Sequence, residues 1–403
     1  MINTKRYSWL MVAMLWIVAM LNYFDRLMLT SMHDAITSDI AMTEAQFGLL
    51  TAVFLWVYGT LSPFGGYFAD RYSRKRVIVG SIIVWSAVTT WTGYAGSFNE
   101  ILIARAFMGI SEACYIPAAL ALITDYHSKD SRSLAVGIHS SGLYAGMALG
   151  GLGGFIADAW GWRWGFHLFG VIGIVYAIIL IFTLHDNKKE KNTSKAVDKE
   201  INILGSLKSI LSIPSFYILL IYNCVIGMAF WVIYAWLPLY LQKSFNLSVG
   251  EAGISATAYV QIASLCGVLL GGFLSDRWVI MNTRGRIYTL VLGIAVGAPF
   301  LFLIGFTQLF WIAVISMILF GLFRGFHDAN LMPILCQVMD ERYRGTSYGI
   351  LNFVSTITGG VMVYIGGIIM DANISLSLIF EISALALFLG GGLMMLIKPV
   401  RQE

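Results

Sequence analysis

The residues of this chain most able to carry chemistry are four ionisable side chains set within long apolar stretches: Asp25, Arg26, Arg105 and Glu112. Each such group at bilayer depth costs about 2.5–3.5 kcal/mol even on lenient scales, so its presence indicates a function. A low dielectric disfavours the charged form of a carboxylate, which allows the acid to gain and lose a proton during a cycle. A protonated acid releases its guanidinium partner, whose planar fork then suits an anionic ligand.

The spacing of these four residues predicts which of them meet. Arg105 and Glu112 are seven positions apart, so they share one face of a helix. Asp25 and Arg26 are adjacent and point about 100° apart, so they do not easily neutralise each other. We therefore predict crossed pairs, Arg26 with Glu112 and Asp25 with Arg105. The alternative is a static ion-pair lock, but buried pairs seldom add stability over apolar packing, so proton coupling and anion capture are favoured.

The composition indicates that these residues lie in a membrane protein. Hydrophobic residues make up 58% of the 403 residues and charged residues only 12%, whereas a soluble domain carries about a quarter charged residues. A helical span needs roughly 20 apolar residues. Twelve stretches approach that length and are called spans 1–12: 8–30, 46–69, 77–96, 99–124, 133–157, 163–184, 215–241, 250–275, 287–306, 309–338, 346–370 and 374–397.

The distribution of basic residues predicts the orientation of the spans. If the loops alternate across the bilayer from a cytoplasmic N-terminus, most of the 26 Lys and Arg residues fall on the cytoplasmic side. Only Arg163 and Lys243 fall on the other side, and Arg26, Arg105 and Arg324 lie within spans. By the positive-inside rule this pattern predicts an integral protein of the plasma (inner) membrane with both termini in the cytoplasm.

Internal repeats predict a duplicated architecture. The loop GGYFADRYSRKR at 65–76 has a weaker copy, GGFLSDR, at 271–277, and stretches 112–117 and 328–333 also match. We predict an all-α membrane protein of twelve transmembrane helices in two six-helix pseudo-repeated bundles: 1–184, a cytoplasmic linker 185–214, and 215–403. The loop arginines alone could be positive-inside anchors, but the acid and the paired glycines favour a gating role. The predicted gating residues are Asp70, Arg71, Arg74, Asp276 and Arg277.

Two motifs resemble those of a known family. The loop pattern GG-x-x-x-DR-x-x-R-[KR]-R resembles the signature loop of the major facilitator superfamily, and the likeness covers the whole chain. The run NYFDR at 22–26 and the pattern R-x-x-x-G-x-x-EA that starts at Arg105, with Tyr58 on span 2, resemble the anion:cation symporter branch of that superfamily. Spinster-like lysolipid transporters share much of this pattern.

The resemblance implies a role for each matching residue. In that branch the acids of spans 1 and 4 are protonation sites, the arginines tune them, and the span 1 arginine contacts the substrate. The roles implied here are proton coupling at Asp25, Glu112 and Arg105, and substrate binding at Arg26, Tyr23 and Tyr58.

Span 10 carries a second polar group, Arg324, His327, Asp328 and Asn330, and Asn352 lies on span 11. Four of these residues, His327, Asp328, Asn330 and Asn352, are further candidates for substrate binding. Arg324 and Asp328 are four positions apart, so a satisfied ion pair and a substrate contact both remain open. His327 could carry a proton near physiological pH or be held by a hydrogen bond. This group departs from the sugar-acid pattern, and a second anionic or zwitterionic group on the substrate, as in sialate, would explain it.

These observations predict a monomeric, proton-coupled symporter of a small organic anion, a sugar acid or a sialate-like compound, that works by alternating access. Its expected partners are the anion, protons and membrane lipid, with no nucleic acid and no cofactor beyond the proton gradient. A spinster-like lysolipid or amphiphile transporter is the alternative, and a ligand sensor with the transporter fold is less favoured. The chain has no G-x-x-x-x-G-K-[ST] loop, nucleophile elbow or metal-ligand cluster, so neither ATP drive nor an enzyme is expected.

Overall fold

The computed structural model describes residues 4–186 and 203–398, and within those ranges the secondary structure is helical with no strand. Most of the predicted linker, residues 187–202, lies outside the described residues. The helices of the first range are α1 (Thr4–Ser31), α2 (His33–Asp39), α3 (Glu44–Arg71), α4 (Arg74–Thr92), α5 (Phe98–Glu112), α6 (Tyr115–Tyr126), α7 (Lys129–Leu149), α8 (Leu152–Trp160) and α9 (Trp162–Thr183). Those of the second range are α10 (Ile203–Leu211), α11 (Pro214–Phe245), α12 (Val249–Met281), α13 (Gly285–Phe306), α14 (Phe310–Val338), α15 (Arg344–Asp371) and α16 (Leu376–Met394).

Each predicted span coincides with one helix or with two consecutive helices. Within the described ranges, ten of these helical segments are long and apolar enough to cross a membrane. The other two are span 3, whose helix α4 opens on three basic residues, and span 5, which is divided into α7 and α8. The all-α membrane fold predicted from the sequence is therefore confirmed.

Span 4 is broken directly after one of the predicted site residues. Helix α5 ends at Glu112, and α6 begins at Tyr115 after a short turn. Pro117 explains the break, because proline has no backbone N–H to donate to the carbonyl of Ala113 four residues earlier. The matching proline of span 10, Pro333, lies inside α14, which remains one helix.

The chain divides into two compact units, described here separately. The first comprises residues 4–42, 53–186 and 248–254, and the second comprises 43–52, 203–247 and 255–398. In the first unit α1 packs on α7, and α4 packs on α9 and α5. In the second unit α11 packs on α15, and α13 packs on α16 and α14. In the first unit span 1 thus packs on span 5, and span 3 packs on spans 6 and 4. In the second unit the equivalent spans pack in the same way, 7 on 11, and 9 on 12 and 10, as an internal duplication requires.

In each unit an aspartate side chain accepts hydrogen bonds from backbone N–H groups at the start of a helix. In the first unit the Asp158 carboxylate accepts the backbone N–H of Gly250 at 2.8 Å. In the second unit the Asp371 carboxylate accepts the N–H groups of Glu44 and Ala45 at 2.9 and 3.0 Å. Asp158 and Asp371 directly follow the predicted spans 5 and 11, which are equivalent positions of the repeat. A carboxylate at a helix start binds donors that have no partner within the helix and complements the helix dipole.

Candidate functional site

The centre of the candidate site is an ion pair between two spans of the first unit. Arg26 Nε donates to Glu112 Oε2 at 2.7 Å, and both side chains are almost completely buried, at 2% and 0% exposure. Arg26 lies five residues before the C-terminal end of α1, and Glu112 is the last residue of α5. This is one of the two crossed pairs predicted from sign and depth, and it is confirmed.

Three aromatic rings surround the Arg26 guanidinium. Its Cζ atom lies 4.4, 5.0 and 4.5 Å from the ring centroids of Tyr23, Phe54 and Tyr58. Rings at this distance attract a cation through their quadrupole, most strongly where water is excluded. Tyr23 and Tyr58, predicted as substrate contacts, therefore lie against the predicted anion-binding residue.

Gly109 allows α3 to approach α5 closely enough for this arrangement. A Cβ atom at Gly109 would lie 2.9 Å from the Phe54 carbonyl oxygen and 3.1 Å from the Tyr58 nitrogen, which is closer than side-chain carbons normally come. The glycine in the R-x-x-x-G-x-x-EA pattern thus brings the two rings to Arg26.

The second crossed pair, Asp25 with Arg105, is not formed, so that part of the prediction is wrong. Asp25 instead accepts a short hydrogen bond from the Thr89 hydroxyl of α4. Arg105 donates to the Met108 sulfur at 2.9 Å, and its Cζ atom lies 4.6 Å from the Phe54 centroid. The physical reason is that each charged group has another partner nearby, a hydroxyl for the acid and an aromatic face with a thioether for the base.

Several polar atoms of this cluster have no protein partner. Asp25 Oδ1, Arg26 Nη2 and Arg105 Nε are buried and make no hydrogen bond to any residue in the described ranges. Buried polar groups are normally paired, and an unpaired one costs about 1–3 kcal/mol. The cluster therefore has unused donor and acceptor capacity that a proton, a water or an anion can use.

The second unit contains a separate buried guanidinium, that of Arg324. It forms an ion pair with Asp328 one turn later on α14 at 3.3 Å. It also donates to the side-chain oxygens of Gln261 and Ser264, both at 3.3 Å. Its Cζ atom lies 4.6 Å from the Phe230 centroid. The i,i+4 pair considered from the sequence is formed, and it lies in a polar surrounding supplied by α12.

The other predicted residues of the second unit differ in their placement. His327 is buried and its Nδ1 lies 2.8 Å from the hydroxyl of Tyr222. Its Nε2 lies 3.8 Å from Asp328, a contact that becomes an ion pair if the imidazole is protonated. Asn330 is buried and donates to the Phe326 carbonyl at 2.9 Å. Asn352 is only half-buried on α15.

The first copy of the loop motif forms local contacts within the first unit. Arg74 forms an ion pair with Asp125, which ends span 4. Arg71 donates to the Tyr67 hydroxyl at 2.5 Å. The side chain of Asp70 lies outside the described residues. Arg74 thus links the loop to the end of span 4, and the gating role predicted for the loop residues stays a prediction.

The second copy forms local contacts within the second unit. Asp276 accepts from Arg286 at 3.1 Å, and the Cζ atom of Arg277 lies 4.3 Å from the Phe273 ring centroid. The partner of Asp276 lies at the start of the next helix, α13, and that of Arg277 lies one turn earlier on α12. The predicted gating role of both residues stays a prediction.

Sequence reasoning missed three residues of the first cluster. Phe54 contacts both guanidinium groups, Thr89 holds Asp25, and Met108 holds Arg105. Phenylalanine, threonine and methionine are common in apolar spans, so residue type alone gave no signal. The helical spacing between Phe54 and Tyr58, one turn apart on α3, was the one pattern that pointed to Phe54.

Comparisons with known proteins add the following findings. The family model described as Major Facilitator Superfamily matches residues 15–363. "Probable sulfoacetate transporter SauU" of Cupriavidus necator is 26% identical over 396 residues, with 94% of this chain and 91% of the relative covered. "Probable galactarate/D-glucarate transporter GudP" of Bacillus subtilis is 26% identical, with 91% and 86% covered.

Proteins named spinster are also similar to this chain. "Protein spinster homolog 1" of Xenopus tropicalis is 26% identical, with 91% of this chain and 73% of the relative covered. Among solved structures, a bacterial homolog of the human lysosomal transporter Spinster, in an inward-facing and occupied conformation, gives a TM-score of 0.79 at 22% identity. The match covers 96% of this chain and 95% of the other, and at that identity it shows a shared fold.

Proposed function

This chain belongs to the Major Facilitator Superfamily, and from that premise we propose that it is a proton-coupled symporter of a small organic anion, such as a sugar acid, that works by alternating access. Its family and its similar relatives are transporters and not enzymes, as predicted. The relatives named for sulfoacetate and for galactarate or D-glucarate are named for organic anions, which supports that substrate class.

The observation that carries the proposal is the buried Arg26–Glu112 pair, whose guanidinium group lies against three aromatic rings. A buried guanidinium whose carboxylate partner has been lost leaves an uncompensated charge, at a cost of about 3–5 kcal/mol. A substrate carboxylate can take the place of Glu112 only if that acid becomes neutral or moves away. Proton uptake by Glu112 and anion binding to Arg26 then favour each other, which is the requirement for symport.

Asp25 supplies a second place for a proton in this scheme. It is buried and accepts its hydrogen bond from a neutral hydroxyl, that of Thr89, with no ion pair to any residue in the described ranges. A carboxyl group in such surroundings can hold a proton without breaking a salt bridge. We assign Asp25 and Glu112 to proton coupling, and Arg105 to their electrostatic tuning.

The Arg324 group in the second unit fits a polar part of the substrate. Gln261 and Ser264 share its guanidinium with Asp328, and amide and hydroxyl groups of this kind pair with hydroxyls and carboxylates. We assign Arg324 and Asp328, with His327, Asn330 and Asn352, to substrate binding. No cofactor beyond the proton gradient enters the scheme.

The second candidate function is transport of a lysolipid or another amphiphile. The observation that favours it is the similarity to proteins named spinster, at the same identity as the sugar-acid relatives. The two candidates differ in their cargo, since a sugar acid is polar throughout and an amphiphile carries an acyl chain.

The remaining parts of the proposal concern the membrane, the orientation of the chain in it and the oligomeric state. The basic loops support an inner-membrane protein with both termini in the cytoplasm. We propose that the protein functions as a monomer, because each charged cluster is formed by residues of one unit of the same chain.

The experiment is uptake into proteoliposomes, with and without an inward proton gradient, of sulfoacetate, galactarate, D-glucarate, D-galactonate, sialate and a lysophospholipid. We expect one sugar acid or related anion to accumulate only with the gradient. Arg26→Ala should abolish that uptake, and Arg26→Lys should retain little of it because ammonium lacks the bidentate fork. Arg342→Ala is the matched control, since that arginine is 83% exposed. Uptake of the lysophospholipid alone would favour the second candidate.

A further inference from the structure

Helices α13 and α16 of the second unit enclose an apolar groove whose lining includes no residue of either charged cluster. Its volume is about 390 Å³, which falls in the range of small-ligand pockets, about 300–1,000 Å³. The residues that line the groove are Ala298, Pro299, Phe302, Leu378, Glu381, Ile382, Ala384, Leu385 and Phe388.

The groove has a small-residue floor and large apolar walls. Ala298 and Ala384 are buried at the contact between the helices, at 3% exposure each. Phe302, Leu385 and Phe388 stand beside them with 42%, 61% and 51% of their surfaces exposed. Both helices are apolar enough to span a membrane, so the exposed walls face the bilayer. A hydrocarbon chain can therefore lie in this groove.

Glu381 is the one ionisable residue of the groove lining. It makes no hydrogen bond or ion pair with any residue in ranges 4–186 and 203–398, and its side chain is half-buried. Ionisable residues within spans almost always face the protein interior and have partners. A carboxylate left at a lipid-facing groove is therefore an unusual feature that indicates a ligand of opposite charge.

Glu381 lies in the first half of α16, towards the end at which that span begins. It lies five residues into α16, about 7.5 Å from Leu376, and helical side chains tilt towards the N-terminus of their helix, here towards the membrane surface. From Glu381 the lining continues seven residues to Phe388, which is about 10.5 Å along the helix. That length is about two thirds of one leaflet, which is half of the roughly 30 Å hydrocarbon core.

We propose that this groove is a binding site for one phospholipid with a primary ammonium headgroup, whose ammonium pairs with Glu381 and whose acyl chain lies between α13 and α16. A primary ammonium donates hydrogen bonds to a carboxylate, whereas a quaternary choline has no N–H to donate. An anionic headgroup is repelled by the same carboxylate. The site should therefore select phosphatidylethanolamine over phosphatidylcholine and phosphatidylglycerol.

The test is native mass spectrometry of the full chain after exchange into mixed micelles that contain equal amounts of these three lipids with identical acyl chains. We expect one retained phosphatidylethanolamine per chain, in about two- to fivefold excess over phosphatidylcholine, as for a partly exposed charge-assisted hydrogen bond. Glu381→Gln should lose that excess. Glu381→Lys should bind phosphatidylglycerol instead, which distinguishes loss of the charge from damage to the fold.

Two controls separate the headgroup contact from the acyl-chain contact. Glu100→Gln removes the same charge from an exposed helix start, where the amide oxygen can still accept the Gly96 N–H, and should retain the excess. Leu385→Ala removes part of the groove wall and should lower retention of every lipid, whereas Leu389→Ala, equally exposed on α16 but outside the lining, should not.

Three results would overturn the proposal. The first is equal retention of ethanolamine and choline lipids by the unmodified chain. The second is an unchanged ethanolamine preference in Glu381→Gln. The third is a dimer that dissociates in Glu381→Gln with no change in bound lipid, which would identify the groove as a contact between two copies of the chain.

Discussion

Replacing Glu112 by glutamine tests the ion pair on which the proposed coupling depends. The substitution keeps the size of the side chain and an oxygen that can accept from Arg26 Nε, and it removes the negative charge 2.7 Å from the guanidinium. Loss of one partner from a buried pair costs about 3–5 kcal/mol. Because the amide oxygen retains the hydrogen bond, we take the lower end, about 3 kcal/mol.

That free energy has two consequences that can be measured separately. The ligand-free Glu112→Gln protein should be less stable than the unmodified protein and should melt at a lower temperature in detergent. An anionic substrate no longer competes with Glu112 for Arg26, so its binding should tighten by at most about 100-fold, since 1.4 kcal/mol corresponds to a factor of ten. The substrate-induced rise in melting temperature should therefore be larger than in the unmodified protein.

The transport assay tests coupling in the same variant. Glu112→Gln cannot release a proton at this position, so uphill accumulation driven by a proton gradient should be lost. Exchange of internal for external substrate needs no net proton movement and should continue. Glu100→Gln, with the same change of charge at an exposed position, should behave as the unmodified protein. The reasoning is refuted if Glu112→Gln still accumulates substrate against its gradient, or if its affinity for the anion equals that of the unmodified protein.

Three further substitutions test individual contacts. Gly109→Ala should separate α3 from α5, lower the melting temperature through an overpacking cost of about 1–3 kcal/mol and reduce uptake, whereas Gly137→Ala, where an added Cβ meets no atom within 4 Å, should do neither. Asp39 accepts from Arg163, which lowers the pKa of its carboxyl; Asp39→Asn should therefore reduce the free energy of unfolding by less than about 1 kcal/mol at pH 5–7, because the pair is exposed. The pKa of this carboxyl is about 3.9 in the unfolded chain and lower in the folded protein, so the difference in unfolding free energy should disappear as the pH falls through these two pKa values. A difference that stays constant down to pH 3 would contradict the assignment. Asp371→Ala should remove the two acceptors at the start of α3 and cost about 0.5–2 kcal/mol in thermal unfolding, and no change would show that this helix start has another partner.

The helical architecture could be predicted because one physical requirement fixes it. Backbone polar groups within a bilayer must be satisfied inside each span, so long apolar stretches predict helices directly. The breaks within spans were harder to predict. Pro117 ends the α-helical hydrogen bonding beside Glu112, whereas Pro333 at the matching position does not interrupt α14. The tertiary contacts of each helix decide between these outcomes, and a proline in the sequence does not reveal them.

The candidate site was predictable only where charge was the controlling factor. Arg26 and Glu112 are opposite charges at similar depth, and the cost of leaving either unpaired brings them together. The same reasoning failed for Asp25 and Arg105, because it counted only charged partners. Thr89 offers a hydroxyl to the acid, and Phe54 offers a ring face to the base. Neutral partners of this kind become visible only with the packing of the helices.

The two buried guanidinium groups differ in how their acids are attached. Arg26 and Glu112 belong to separate helices, α1 and α5, so any sliding of one helix past the other must stretch or break their hydrogen bond. Arg324 and Asp328 are successive turns of α14 and travel together as a rigid piece, whatever that helix does. In the proposed alternating-access cycle, the first pair would convert helix displacement into exposure of a positive charge, whereas the second would keep its charge balanced.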